Sequence, residues 1–223
     1  MDRPRVAIVV PALNEAATIG AVLERVRAYG YPIVVDDGSQ DATAELARAA
    51  GADVVRHATN QGYDGALNTG FARAAALGAR YIITLDADGQ HNPAQLAEMI
   101  AHLEQGNELV LGVRDRLQRV GEVIFAACAG WLWSVRDPLC GMKGYAVELY
   151  QRAGHFDSFQ SIGSELAVRA MVNHCRYVEM PILTRDRADA PRFGRRFQAN
   201  YKILRAMCIL LLRYGRGQLR SAP

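Results

Sequence analysis

The chain opens on an unbroken apolar run, Val6–Val10, rich in β-branched residues, which predicts a strand buried on both faces. Pro11 is expected to end that strand, leaving Asn14 and Glu15 in the loop beyond it. From Ala16 to Tyr29 the apolar positions Ile19, Leu23 and Val26 recur at helical intervals, and Gly30 closes the helix. The alternation then repeats. Pro32–Val35 reads as a strand delivering Asp36 and Asp37, and the helix after it runs to Ala50 behind a cap at Ser39 or Asp41. Asp53–Arg56 is a third strand, and the glycine-punctuated loop Asn60–Ala66 enters a helix ending near Leu77. Tyr81–Leu85 is a fourth strand, Pro93–Glu104 a helix, and Glu108–Gly112 a fifth strand with Arg114 just past its end. Strand and helix alternating this way predict an α/β fold with a mainly parallel central sheet and helices on both faces.

Beyond residue 112 the pattern changes. Residues 116–135 begin polar and turn apolar around Phe125–Trp133, and Asp137–Gly141 forms a turn. Packed structure resumes over Met142–Tyr150. A helix is expected over Ile162–Val172, a strand over Tyr177–Ile182, a charged loop over 186–196 and a last helix over Tyr201–Tyr214. One domain would occupy residues 1–200, with a basic, apolar helix over 201–223. The two apolar stretches, Phe125–Trp133 and Ala206–Leu212, suit a surface resting on lipid, core packing or a dimer interface alike.

The 223 residues suffice for one sizeable core. No apolar run approaches the ~20 residues of a membrane-spanning helix, and the start of the chain shows no secretory signal. Cys128, Cys140, Cys175 and Cys208 have neither metal nor redox spacing, which points to reduced thiols in the cytoplasm. The net charge of +3 conceals an asymmetry: from Arg185 onward, nine arginines and Lys202 oppose only Asp186 and Asp189. Such an end suits phosphate groups, on a soluble ligand or at a membrane surface.

Three acidic clusters follow strands, at Glu15, at Asp36–Asp37 and at Asp86–Ala87–Asp88, so they would converge on one rim of the sheet. Asp86 and Asp88, separated by one small residue, would repel each other unless a divalent cation lay between them, with Gln90 as a neutral oxygen ligand. The plain alternative is an acidic turn capping the next helix, and His91 suits a supporting turn residue. No dinucleotide fingerprint is present, and the acid pair follows the second strand, unlike that of a phosphoaspartate receiver.

Read together, Val10–Glu15, Val34–Thr43 and Asp86–His91 resemble the family 2 glycosyltransferases of GT-A fold. Asn60, Gly62, Gly65, Ala66 and Gly70 match a further glycine-rich element. Asp137–Gly141 with Lys143–Tyr145 is similar to the branch holding dolichol-phosphate mannose synthase and the polyprenyl-phosphate glycosyltransferases. The resemblance implies a nucleotide-sugar donor whose base and ribose lie against Pro11, Leu13, Glu15, Val35 and Asp37. It places Asp86, Ala87 and Asp88 along the ribose and diphosphate, with Asp88, Gln90 and Asp86 on Mg2+ or Mn2+. It also implies phosphate contacts from Arg114 and from Arg187 or Arg185, with Arg192 one residue out of register for a lysine that usually follows. The implied acceptor is a polyprenyl phosphate, met by peripheral contact at the cytoplasmic face of a membrane, and no nucleic acid is implied; a homodimer is compatible. Transfer to a saccharide hydroxyl would need a base, and Glu165 is the candidate, although a helix-start charge or salt-bridge partner describes it equally well. A non-catalytic nucleotide-sugar-binding subunit is the remaining alternative.

Overall fold

The computed structural model describes residues 4–89, 92, 94–117, 119–183 and 196–215. Among the described residues, seven strands form one sheet in the order β3-β2-β1-β4-β6-β5-β7. They are β1 (Val6–Ala12), β2 (Tyr31–Asp36), β3 (Asp53–Arg56), β4 (Tyr81–Thr84), β5 (Leu109–Arg114), β6 (Lys143–Ala146) and β7 (Tyr177–Ile182). All neighbouring pairs are parallel except those of β6, which runs antiparallel to both β4 and β5. The helices are α1 (Ile19–Val26), α2 (Thr43–Ala49), α3 (Tyr63–Ala76), α4 (Gln95–Glu104), α5 (Val120–Trp133), α6 (Val147–Ala153), α7 (Glu165–Val172) and α8 (Arg196–Tyr214).

Side-chain alternation along the strands divides the core into two layers. Ala7, Val9, Ile33, Ile82 and Tyr145 face one layer, which α3, α5, α6, α7 and α8 complete. Val6, Ile8, Val10, Val34 and Ile83 face the other, against Leu23 of α1 and Met99 of α4. Helices therefore cover both faces, as the alternation predicts.

Pro11 does not end β1; pairing continues to Ala12 opposite Asp36. The reason lies in the directions of the backbone groups. The Val9 carbonyl accepts from Leu85 N on the β4 side, whereas the Ala12 carbonyl accepts from Asp37 N on the β2 side. Pro11, in phase with Val9, thus turns its ring nitrogen toward a side that β4 has already left at Thr84, where no donor is required. The helix starts also shift. α3 begins at Tyr63 rather than beyond Ala66, α7 at Glu165 rather than Ile162, and α8 at Arg196, so the division placed at residue 200 falls inside α8. Arg114 is the last residue of β5 rather than a loop residue.

The apolar stretches of the second half are only partly surface. Phe125, Ala129 and Trp133 of α5 and Ala206 and Leu210 of α8 are core, while Trp131 and Leu212 point outward. Close approach of α3 to the sheet depends on Gly70, where an added methyl would lie 2.2 Å from Val9 Cγ1 and 3.4 Å from Val35 Cγ2. Both valines are stiff at χ1, so Gly70→Ala is expected to cost about 1–3 kcal/mol by overpacking. Calorimetry would show a fall in Tm of several degrees; an unchanged Tm would mean that α3 lifts from β1 at no cost.

Candidate active site

The chain proceeds from β1 outward to β2 and β3, then crosses back to β4, so the strand order reverses between β1 and β4. The crevice beyond the carboxyl ends of strands at such a reversal is where α/β sheets collect ligands. Its first wall is a pair of loops sewn together. Asn14 N donates to Ser39 Oγ (2.8 Å), Gln40 N to Asn14 Oδ1 (2.8 Å), Glu15 N to Thr43 Oγ1 (2.8 Å) and Ala16 N to Asp41 Oδ2 (3.1 Å). Ser39 therefore serves the neighbouring loop instead of capping α2, and Asp41 takes the Thr43 amide at 3.0 Å. Pro11 and Leu13 lie half-buried along this wall, and Glu15 is buried with the Thr18 hydroxyl on its Oε2 at 2.8 Å.

The acids that end β2 are turned inward. Asp36 is fully buried, with the Ser39 amide on Oδ1 at 3.1 Å and Arg56 Nε forming an ion pair at 3.0 Å from Oδ2. Asp37, expected at the nucleoside, spends both oxygens within the protein. Oδ1 accepts from Gln61 N at 2.8 Å and lies 2.7 Å from His57 Nδ1, and Oδ2 accepts from Gly62 N at 2.8 Å. A buried carboxylate holds such donors because losing them would strand its charge. Its evident work is to fasten residues 57–62 to the end of β2, beside an open hollow of about 480 Å³ lined by Gly38, Gln40, Arg56 and His57. Val35, likewise expected at the nucleoside, is fully buried, and its side chain packs toward Gly70.

The central acids do reach the rim. Ala87 is buried, which leaves Asp86 and Asp88 half-buried on either side of it. Asp86 Oδ1 accepts from the Tyr63 hydroxyl at 3.2 Å. Burial, with Asp86 and Asp64 nearby, pushes the Tyr63 phenol well above its ordinary pKa, so it remains a donor throughout the physiological range. Gly141 closes the other side: a methyl there would lie 2.2 Å from Asp86 Oδ2. Among the described residues no group of three or more His, Cys, Asp or Glu side chains forms a metal cage. Two adjacent carboxylates instead suit a hard divalent cation whose remaining ligands come from water and a bound diphosphate. Asp86 and Asp88 fit that role; Gln90 and His91 lie outside the described residues.

The antiparallel course of β6 carries residues 137–143 to the same rim. Thr84 Oγ1 donates to Gly141 O at 2.6 Å, and the buried Lys143 donates from Nζ to Gly163 O at 2.9 Å. Burial lowers the Lys143 pKa, opposed by the nearby carboxylates of Asp137 and Asp86. Arg114, expected on a phosphate, is committed elsewhere. It grips Asp137 through Nε (2.7 Å) and Nη2 (2.9 Å) and lies 3.6 Å from Glu122. Burial opposes its charge, but Asp137 and Glu122 raise its pKa above the usual value. Removing it would leave the buried Asp137 without its ion-pair partner, while Glu122 would keep Arg119 at 2.8 Å.

A strained turn borders the site. Gln160, Ile162 and Gly163 all have positive φ, at 63°, 58° and 70°. For β-branched Ile162 this is unfavourable by on the order of 1–3 kcal/mol. Two carboxylates hold it there: Asp157 accepts from the amides of Phe159, Gln160 and Ser161, and Asp64 from those of Ile162 and Gly163. Burial and the Asp157 charge push the Asp64 carboxyl up to about 6, against the pull of those amides. A methyl on Gly163 would be 3.2 Å from Tyr63 Cε1, so the turn lies on the tyrosine that holds Asp86. Glu165, the candidate base, is 1% exposed. It accepts from Ser158 N (2.6 Å), Ser158 Oγ (2.9 Å) and the Tyr214 hydroxyl (3.0 Å), with Arg213 at 3.5 Å. Those bonds tie α7 to α8 and match the salt-bridge description.

Spacing did not reveal Tyr63, Asp64, Asp157 or the role of Gly141, since each partner lies far along the chain. Arg185, Arg187 and Arg192 lie outside the described residues. No helix among the described residues is long and apolar enough to cross a membrane.

The family model described as glycosyl transferase family 2 matches residues 7–127. An uncharacterized protein of Methanocaldococcus jannaschii is 32% identical over 201 residues, spanning 82% of this chain and 83% of its own. A dolichyl-phosphate hexose transferase of Haloferax volcanii is 30% identical over 195 residues, with the same coverage. A crystal structure of glucosyl-3-phosphoglycerate synthase from Mycobacterium tuberculosis with Mn2+, uridine diphosphate and phosphoglyceric acid superposes at a TM-score of 0.76. It is 23% identical and covers 94% of this chain and 78% of that one.

Proposed function

Because the chain belongs to glycosyl transferase family 2 and has the GT-A fold, we propose that it moves a hexosyl group from a nucleotide sugar, of GDP-mannose or UDP-glucose type, to a polyprenyl phosphate. The observation that carries the reading is the pair Asp86 and Asp88 on the crevice between β1 and β4, with Asp86 fixed between the Tyr63 hydroxyl and Gly141. The lipid acceptor takes its support from the dolichyl-phosphate hexose transferase among the relatives.

In this mechanism Asp86 and Asp88 would hold Mg2+ or Mn2+, and the chemistry such an ion would supply is neutralisation of the negative charge on the leaving diphosphate. Tyr63 keeps its proton and orients Asp86. The wall from Pro11 to Glu15 receives the nucleoside, and Arg185, Arg187 and Arg192 supply positive charge to phosphate. An acceptor phosphate oxygen attacks the anomeric carbon as the bond to the diphosphate oxygen breaks, inverting that centre. The acceptor is already ionised near neutral pH, so no strong general base is required. Glu165 is accordingly an anchor for α8 rather than a base, and catalysis takes place at a membrane surface.

The test is transfer by the purified protein with Mn2+, a panel of labelled nucleotide sugars and a polyprenyl phosphate. Label in the organic phase that disappears with EDTA supports the reading; donor binding without organic label rejects it. Glu165→Gln is expected to keep transfer within about tenfold while the loss of charge-assisted bonds costs about 1–3 kcal/mol of stability. A folded Glu165→Gln protein without transfer would restore the hydroxyl acceptor.

A further inference from the structure

Large exposed hydrophobics concentrate on two packed helices. On α5, Val120 is 70% exposed, Ile124 40% and Trp131 78%; on α8, Phe197 is 86%, Tyr201 66% and Leu212 69%. Each trio recurs at helical spacing and so lies on one face of its helix. The helices meet where Gly121 N donates to Asn200 Oδ1 at 3.0 Å, within one turn of Val120, Phe197 and Tyr201. Charge distinguishes the partner. α8 has no acidic residue, whereas Lys202 and Arg205 are exposed beside Tyr201. The acid of α5, Glu122, is buried against Arg114 and Arg119. A second copy meeting this face symmetrically would oppose cation to cation. A surface both apolar and anionic satisfies both features.

We propose that the outer face of α5 and α8 docks on an anionic lipid bilayer, with Trp131, Phe197 and Tyr201 entering the headgroup boundary. α8 is also tied to the body of the protein: Arg205 donates to Phe159 O (2.9 Å), Arg213 to Ser158 Oγ (2.8 Å) and Tyr214 to Glu165 (3.0 Å). Docking therefore seats on the bilayer the same helix that secures residues 158–165 beside the active site. This deepens the lipid-phosphate reading, but vesicles without polyprenyl phosphate test it, so either can fail without the other.

The experiment is flotation of the full chain with phosphatidylglycerol–phosphatidylcholine vesicles, with phosphatidylcholine vesicles alone, and with rising salt. Of the two tryptophans, Trp133 is buried, so a blue shift of emission reports Trp131. We expect binding to the anionic vesicles with a blue shift, at least about tenfold weaker for Trp131→Ser/Phe197→Ser and weakened by salt. Absence of binding at low salt, or wild-type binding by the double variant, overturns the proposal. So does a concentration-dependent dimer that the double variant abolishes in the absence of any vesicle binding.

Discussion

Asp88→Ala is expected to reduce sugar transfer by about 10²–10⁴-fold while leaving Tm almost unchanged. Asp88 is half-buried at the end of a short turn, so its removal opens no core cavity. The loss falls on the transition state, where charge accumulates on the departing diphosphate and metal-assisted stabilisation is worth several kcal/mol, at roughly tenfold per 1.36 kcal/mol. Asp88→Asn preserves the shape but not the charge and should fall nearly as far. Excess Mn2+ should restore part of the activity of Asp88→Asn if weakened cation binding is the defect. The measurement is kcat/KM for the donor across a Mn2+ titration, beside a thermal melt. Activity within tenfold of wild type in Asp88→Ala would remove Asp88 from the machinery.

Gly141→Ala should impair transfer by about 10²-fold, the scale of a roughly 1 Å misplacement of a reacting or ligating group. The added methyl would lie 2.2 Å from Asp86 Oδ2 and 2.9 Å from Oδ1, and it has no soft side-chain end to displace except the carboxylate itself. Asp86 must then rotate away, straining its bond from Tyr63. Gly130→Ala is the matched control. It sits on the exposed side of α5 with its nearest contact 3.7 Å away, so it should leave transfer intact and stabilise the helix by up to about 1 kcal/mol. Donor affinity by calorimetry separates the effects: a misplaced Asp86 weakens metal-dependent binding in a folded protein. Equal transfer by the Gly141 and Gly130 variants would show that Asp86 tolerates displacement.

β1, β2, β4 and β5 could be read from the sequence as apolar runs, because strands buried on both faces are nearly continuously apolar, and β7 has the bounds the sequence suggests. β6 could not: Lys143 and Gly144 occupy a central strand, the lysine because Gly163 O receives its ammonium and the glycine because Met99 and Leu103 press on it. At the rim, the positions of the acids were legible but their employment was not. Asp86 and Asp88 reach the crevice. Asp37, Arg114 and Glu165 are claimed by partners 24, 23 and 49 positions away, respectively, at Gln61, Asp137 and Tyr214. Spacing shows which residues share an element, not which distant side chain arrives opposite them. The two apolar stretches, which lipid, core and dimer interface explain alike from sequence, are partly core: Phe125, Ala129 and Trp133 of one and Ala206, Met207 and Leu210 of the other are buried.

The placement of β6 also sets a timetable for the nascent chain. β1 to β4 can pair as they leave the ribosome, but β5 has no neighbour among them; its partners are β6 and β7, which ends at Ile182. At about 5–20 residues per second, the interval between Arg114 and Ile182 lasts on the order of ten seconds. Until β6 follows at Ala146, about halfway through, β4 and β5 both present open edges, and β5 keeps one until β7 arrives, the condition under which strands capture one another between chains. That window is fixed by the order of synthesis, so substitutions that only stiffen the finished sheet do not shorten it.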